Sequence, residues 1–81
     1  MRLHEHACDR MFERGATEEE VEATVRAGER FAAKFGREGF RRNFRFDGMW
    51  HGRHYPMKQV EAFAIFEDGD WLVITVVVKY F

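Results

Sequence analysis

The sequence predicts an α+β domain, two N-terminal helices followed by an antiparallel sheet, and three observations carry that expectation. Apolar residues recur at helical spacing over the first third of the chain. After Gly36 the pattern changes to the alternation of a strand. The chain then ends in Trp71 to Phe81, apolar apart from Thr75 and Lys79. A run of that kind predicts a central strand buried on both faces.

The elements follow in order. Leu3, Ala7, Cys8, Met11 and Phe12 form one apolar stripe, which predicts a helix from Leu3 to Arg14. Gly15 suits the left-handed residue that closes a helix. Thr17 and Glu20 make a capping box, so a second helix starts near Glu18, turns Val21, Val25 and Gly28 inward, and fades near Glu29. In the strand that follows, Phe40, Phe44 and Phe46 share a face. Arg41, Asn43 and Arg45 share the other, with Arg42 on the aromatic face or at a bulge. Asp47-Gly48 reads as a turn, and Met49 to Tyr55 as a strand or an irregular arm stopped by Pro56. Lys58 to Glu67 is a strand with Phe63 and Ile65 on one face and Val60, Ala62, Ala64 and Phe66 on the other. Asp68-Gly69 is a hairpin turn. The order is ααββββ, or one strand fewer if 49–55 is irregular.

Eighty-one residues hold a single domain, 1–81. One cysteine, Cys8, allows no intrachain disulfide and fits a reducing compartment. No apolar run reaches the roughly 20 residues of a membrane span, and the opening MRLHEHACDR is too charged for a signal peptide. A cytoplasmic protein without membrane contact is expected. Net charge is −1, but residues 1–25 carry −4, residues 26–58 carry +6 and residues 59–81 carry −3. The basic middle also holds Phe31, Phe35, Phe40, Phe44, Phe46, Trp50 and Tyr55. Cations interleaved with aromatics suit single-stranded RNA, charge for phosphates and rings for bases. The plainer alternative is a solvated sheet face over an aromatic core.

Individual residues sharpen the choice. His6, Arg10 and Arg14 recur every fourth residue and climb one border of the first helix, a general acid/base beside two anion clamps. Ordinary helix-surface ion pairs to Asp9, Glu13 or the acidic second helix are the plainer explanation of the same row. Thr75 is either a β-former or a donor on the floor of a site. Lys79 and Tyr80 fall on opposite faces, as do Lys58 and Gln59. His4, His6 and Cys8 cannot share a metal on a helix, because alternate residues point apart. No phosphate loop, nucleophile elbow or acidic metal pair is present, so neither metal nor cofactor is expected.

His6-Ala7-Cys8-Asp9-Arg10-Met11-Phe12-Glu13-Arg14-Gly15, with Thr17 and Val21, resembles the H-A-x-x-R-M-x-x-R-G-x-T opening of a family of small bacterial and phage-borne domains. That family is of unknown function and is grouped with RelE-type and BrnT-type toxins. Gly36-Arg37, Phe40 to Phe44, Gly52, Tyr55, Lys58 to Ala62, Trp71 to Val76 and Lys79-Tyr80-Phe81 resemble the rest, so the likeness spans nearly the whole chain. It implies the barnase–EndoU–colicin–RelE fold, two helices on a curved, mainly antiparallel four-stranded sheet. It also implies a metal-independent ribonuclease, the toxin of a toxin–antitoxin pair. Carried over by position, the candidates are His6, Arg10, Arg14, Arg41, Lys58, Thr75 and Tyr80.

The expected chemistry is RNA cleavage by 2′-hydroxyl attack. His6 takes the proton, while Arg10, Arg41 and Arg14 hold the phosphate. Tyr80 or Lys58 protonates the leaving oxygen, and Thr75 orients one of these groups. Arg37, Arg42 and Arg45 join Arg14 in gripping RNA, and an antitoxin protein is the expected partner. The rival expectation is a non-catalytic module that grips RNA or an acidic protein segment through the face around Arg41 and Arg45.

Overall fold

The computed structural model describes all residues, 1–81. Its elements are β1 (Arg2–Leu3), α1 (Glu5–Arg14), α2 (Glu18–Ala27), β2 (Glu29–Ala32), β3 (Glu38–Trp50), β4 (Arg53–Glu67) and β5 (Asp70–Tyr80). A single 3₁₀ turn, Lys34–Gly36, joins β2 to β3. The class is α+β, as expected. The sheet, however, has five strands in the order β1-β5-β4-β3-β2 and is mixed, because β1 runs parallel to β5 while every other pair is antiparallel.

Helix α1 starts later than the stripe suggested. His4 is its N-cap, the imidazole Nδ1 accepting from the His6 amide at 3.1 Å, and Leu3 is drawn instead into pairing with Val73. Gly15, at φ 78, closes α1. The capping box of α2 is complete: Thr17 Oγ accepts from the Glu20 amide at 3.1 Å, and Glu20 Oε1 accepts from the Thr17 amide at 2.9 Å. Only part of the predicted stripe packs inward, since Ala7 is buried and Met11 touches the core while Cys8 is exposed and Phe12 is 89% exposed.

Two predicted features of the sheet are corrected. Asp47-Gly48 is no turn. It lies within β3, at a bulge where the register slips between Arg45↔Met57 and Gly48↔Tyr55. Pro56 sits opposite that bulge, where the missing amide costs no ladder bond. The turn falls at His51-Gly52, both with positive φ (49° and 78°), and residues 49–55 become the tip of a long β3–β4 hairpin. The predicted Asp68-Gly69 turn is present, with φ 52° and 76°. The terminal strand is less buried than its composition implied: only Val73 and Val76 are buried. A register slip at Ile74, between Phe63↔Thr75 and Ala64↔Val73, sets those two valines three residues apart on the same face.

Both helices cover one face of the sheet. Ala7, Ala16 and Val21 from the helical hairpin meet Phe40, Val60, Ala62, Ala64, Val73 and Val76. The opposite face has no second layer.

Candidate nucleic-acid interface

Strand alternation assigns residues to the uncovered face. Arg41↔Glu61, Asn43↔Gln59 and Arg45↔Met57 lie on it, with Phe63↔Thr75, Glu61↔Val77 and Gln59↔Lys79 continuing across to β5. Strand β2 adds Glu29, opposite Arg41, and Phe31, opposite Gly39. A Cβ on Gly39 would collide with the Phe31 ring, so this glycine lets Phe31 lie flat on the sheet. Phe31 meets Phe63 edge-on, ring centroids 5.9 Å apart, and the Arg41 guanidinium lies over Phe31 at 4.2 Å.

Glu61 is the unexpected member. It is only 7% exposed although no helix covers it. Its oxygens lie 3.8 Å from Arg41 Nη1 and 3.6 Å from Lys79 Nζ, a carboxylate held between two cations. Arg41 Nε lies 3.2 Å from Glu29, yet, shielded from solvent, it lacks the alignment of a hydrogen bond. Cations exceed carboxylates on this side of the molecule: Lys34, Arg37, Arg41, Arg45 and Lys79 against Glu29, Glu61 and, beside Arg45, Asp47. The opposite side carries Glu18, Glu19 and Glu20 in the first turn of α2, with Glu22 following. The basic block of the chain is divided by the sheet: Lys34, Arg37, Arg41 and Arg45 lie on the uncovered side, while Arg30, Arg42 and Lys58 lie on the other.

The residues selected from sequence do not form one cluster. Arg41 and Thr75 are on the uncovered face, with Arg45 and, beside Thr75, Arg37. Arg42 pairs with Val60 on the helix-covered face, at its exposed margin, with its guanidinium over Phe44 at 5.4 Å. Lys58 and Tyr80 are register partners and meet Arg14 at the α1–α2 corner. There Lys58 Nζ donates to the Gly15 carbonyl at 2.9 Å and pairs with Glu20 at 2.7 Å. Tyr80 Oη donates to the Arg14 carbonyl at 2.7 Å, and Arg14 Nη1 donates to the Val76 carbonyl at 2.6 Å. Burial, and then the charge of Glu20, push the Tyr80 hydroxyl pKa above its ordinary 10.0. His6 stands exposed on α1, and Arg10 is bound to Glu13 at 3.0 Å. The polar tips of Lys58, Tyr80 and Arg14 are therefore engaged in fastening a helix corner to the sheet, while the sheet itself separates Arg41 and Thr75 from them.

Sequence reasoning offered Phe31 and Phe35 as rings within the basic block but missed Glu61 and Phe63 as site residues. Strand parity offered a signal for Glu61 and Phe63, since both share the face of Gln59 and Ile65. Nothing placed Phe31 in a strand, because β2 is recognisable only once β3 lies beside it. No group of three or more His, Cys, Asp or Glu side chains is placed to hold a metal ion, and no helix is long and apolar enough to cross a membrane. No family model, curated protein or solved structure matches this chain.

Proposed function

We propose that the protein binds single-stranded RNA across the uncovered face of its sheet, as a toxin-type ribonuclease or its non-catalytic counterpart does. The observation that carries this reading is the coincidence, on a face without a second layer, of Arg37, Arg41, Arg45 and Lys79 with Phe31 and Phe63. Such a surface supplies counter-charge for phosphates and ring faces for bases. The acidic α2 on the reverse side repels a polyanion and orients its approach. A free, exposed Cys8 suits a reducing cytoplasm, and an antitoxin protein would block the same face.

The test is titration of labelled single-stranded RNA over a range of salt. Arg45→Ala and Lys79→Ala should each weaken binding and reduce the salt slope by about 0.7. Glu22→Gln on α2 should not weaken it. RNA that fails to bind even at low salt would overturn the proposal.

Cleavage is the second reading, and Glu61 favours it. A carboxylate between Arg41 and Lys79 can take a 2′-hydroxyl proton while the two cations offset charge growing on the phosphate. His6, exposed on α1, is the competing base. Loss of RNA cleavage in Glu61→Gln but not in His6→Ala assigns the base to the sheet, and the converse assigns it to the helix. Intact RNA with all forms leaves a binding module.

A further inference from the structure

At the β2 end of the uncovered face, the 3₁₀ turn and the sheet enclose an open cleft of about 400 Å³. Phe31, Phe35, Phe63, Lys34, Arg37 and Thr75 line it. Three features point to a ligand that is flat and aromatic at one end and anionic at the other. Rings lie on two sides, Phe31 and Phe63 in the sheet and Phe35 on the turn. Phe35 is 87% exposed and held at φ 62°, a left-handed conformation that a bulky residue rarely adopts and that favours no packing of its own. Second, the carboxylates of this stretch are engaged elsewhere, Glu29 by Arg41 and Glu38 by Arg30, which leaves Lys34 and Arg37 for an outside anion. Third, Thr75 brings the single hydroxyl of the lining to the sheet beneath. A hydroxyl both donates and accepts, as the edge of a nucleobase requires.

We propose that this cleft is a nucleotide subsite, in which one unpaired base packs among the phenylalanine rings with its edge on Thr75 and its phosphate on Lys34 and Arg37. It rests on the RNA-binding reading, and it names the place where that surface would distinguish one base from another. Stacking on aromatic side chains is strong and tolerant of sequence, so Phe35 supplies affinity and Thr75 supplies choice.

The experiment maps amide shifts of the protein with uridine and adenosine 5′-monophosphates and with inorganic phosphate. It also measures binding of short homopolymeric RNAs to wild type, Phe35→Ala and Thr75→Val. Phe35 is almost wholly in solvent, so its truncation spares the fold, and circular dichroism checks both variants. The mononucleotides should shift residues 31–37, 63 and 75. Phe35→Ala should bind homopolymers about tenfold more weakly at an unchanged salt slope, as expected for the loss of one stacking contact. Thr75→Val should alter the ranking of the homopolymers. Homopolymers that bind both variants as they bind wild type would overturn the subsite and leave RNA binding standing. Mononucleotides that shift these residues while no homopolymer binds would support the cleft and overturn the wider RNA reading. Inorganic phosphate producing the same shifts as the mononucleotides would reduce the cleft to an anion site and overturn the assignment to a base.

Discussion

Replacing Lys58 by methionine tests whether this lysine fastens the fold or serves the chemistry. Lys58 is 5% exposed, and its ammonium bridges Glu20 at 2.7 Å and the Gly15 carbonyl at 2.9 Å. Removing one partner of a buried ion pair costs about 3–5 kcal/mol, chiefly because the other charge is stranded. Glu20 is 19% exposed by side chain and keeps its bond from the Thr17 amide, so the stranded charge is partly relieved and the cost drops to or below the lower end of that range, about 2–3 kcal/mol. A chain of 81 residues holds roughly 4–12 kcal/mol in all, which makes this a large fraction. The midpoint of thermal unfolding should fall by about 10–20 °C. Adding Glu20→Gln to Lys58→Met should cost less than the two single losses combined, by about 1 kcal/mol or more, because no charge is then left unpaired. Urea and thermal unfolding followed by circular dichroism measure both quantities. RNA affinity of the folded fraction should stay at the wild-type value, since Lys58 lies on the helix-covered side. A Lys58→Met protein that keeps its stability but loses RNA binding or cleavage would refute this reasoning and restore Lys58 to the site.

The same corner makes further predictions. Gly15→Ala sets a Cβ 2.5 Å from Tyr80 Oη and 2.6 Å from the Trp50 ring at a φ of 78°. Strain and overpacking together should cost about 2–4 kcal/mol, read by urea unfolding. Tyr80→Phe loses the bond to the Arg14 carbonyl, a cost of about 1 kcal/mol. Because the Tyr80 pKa is raised in the folded state, wild-type stability should hold below pH 10.0 and decline as pH rises toward the folded value. A Tyr80→Phe variant should lack that part of the alkaline decline. At the other end of β5, the Met1 ammonium at 3.0 Å, and then the Trp71 amide, hold the Asp70 carboxyl below its ordinary 3.8. Its contribution is present above the unfolded-state pKa and disappears as acid brings the pH down through the folded value. Thermal melts of Asp70→Asn against wild type across that acid range should converge at the lowest pH.

Features written in neighbouring residues were legible from the sequence. The capping box at Thr17 and Glu20, the closing glycine of α1 and the Asp68-Gly69 turn each depend on a few adjacent residues, and all three are present. Face assignments along 40–46 and 58–67 also hold, because strand parity is local. Asp47-Gly48 misled for the same reason. A turn dipeptide and a β-bulge draw on the same residue types, and only the partner strand, with Pro56 lying opposite, decides between them.

Composition, charge blocks, the α+β class, the two helices and the three long strands were thus legible in the sequence itself. Tertiary structure decided which side of the sheet the helices would take. That choice engaged Lys58 and Tyr80 in a structural corner, left Arg41, Arg45 and Thr75 on the uncovered face, and brought Glu61 between Arg41 and Lys79 from three different strands. Strands β1 and β2 exist only because β5 and β3 supply their partners. Neighbours along a chain fix capping and parity through local bonds. Contacts between residues far apart in the chain depend on how the whole sheet assembles, and no local pattern records them.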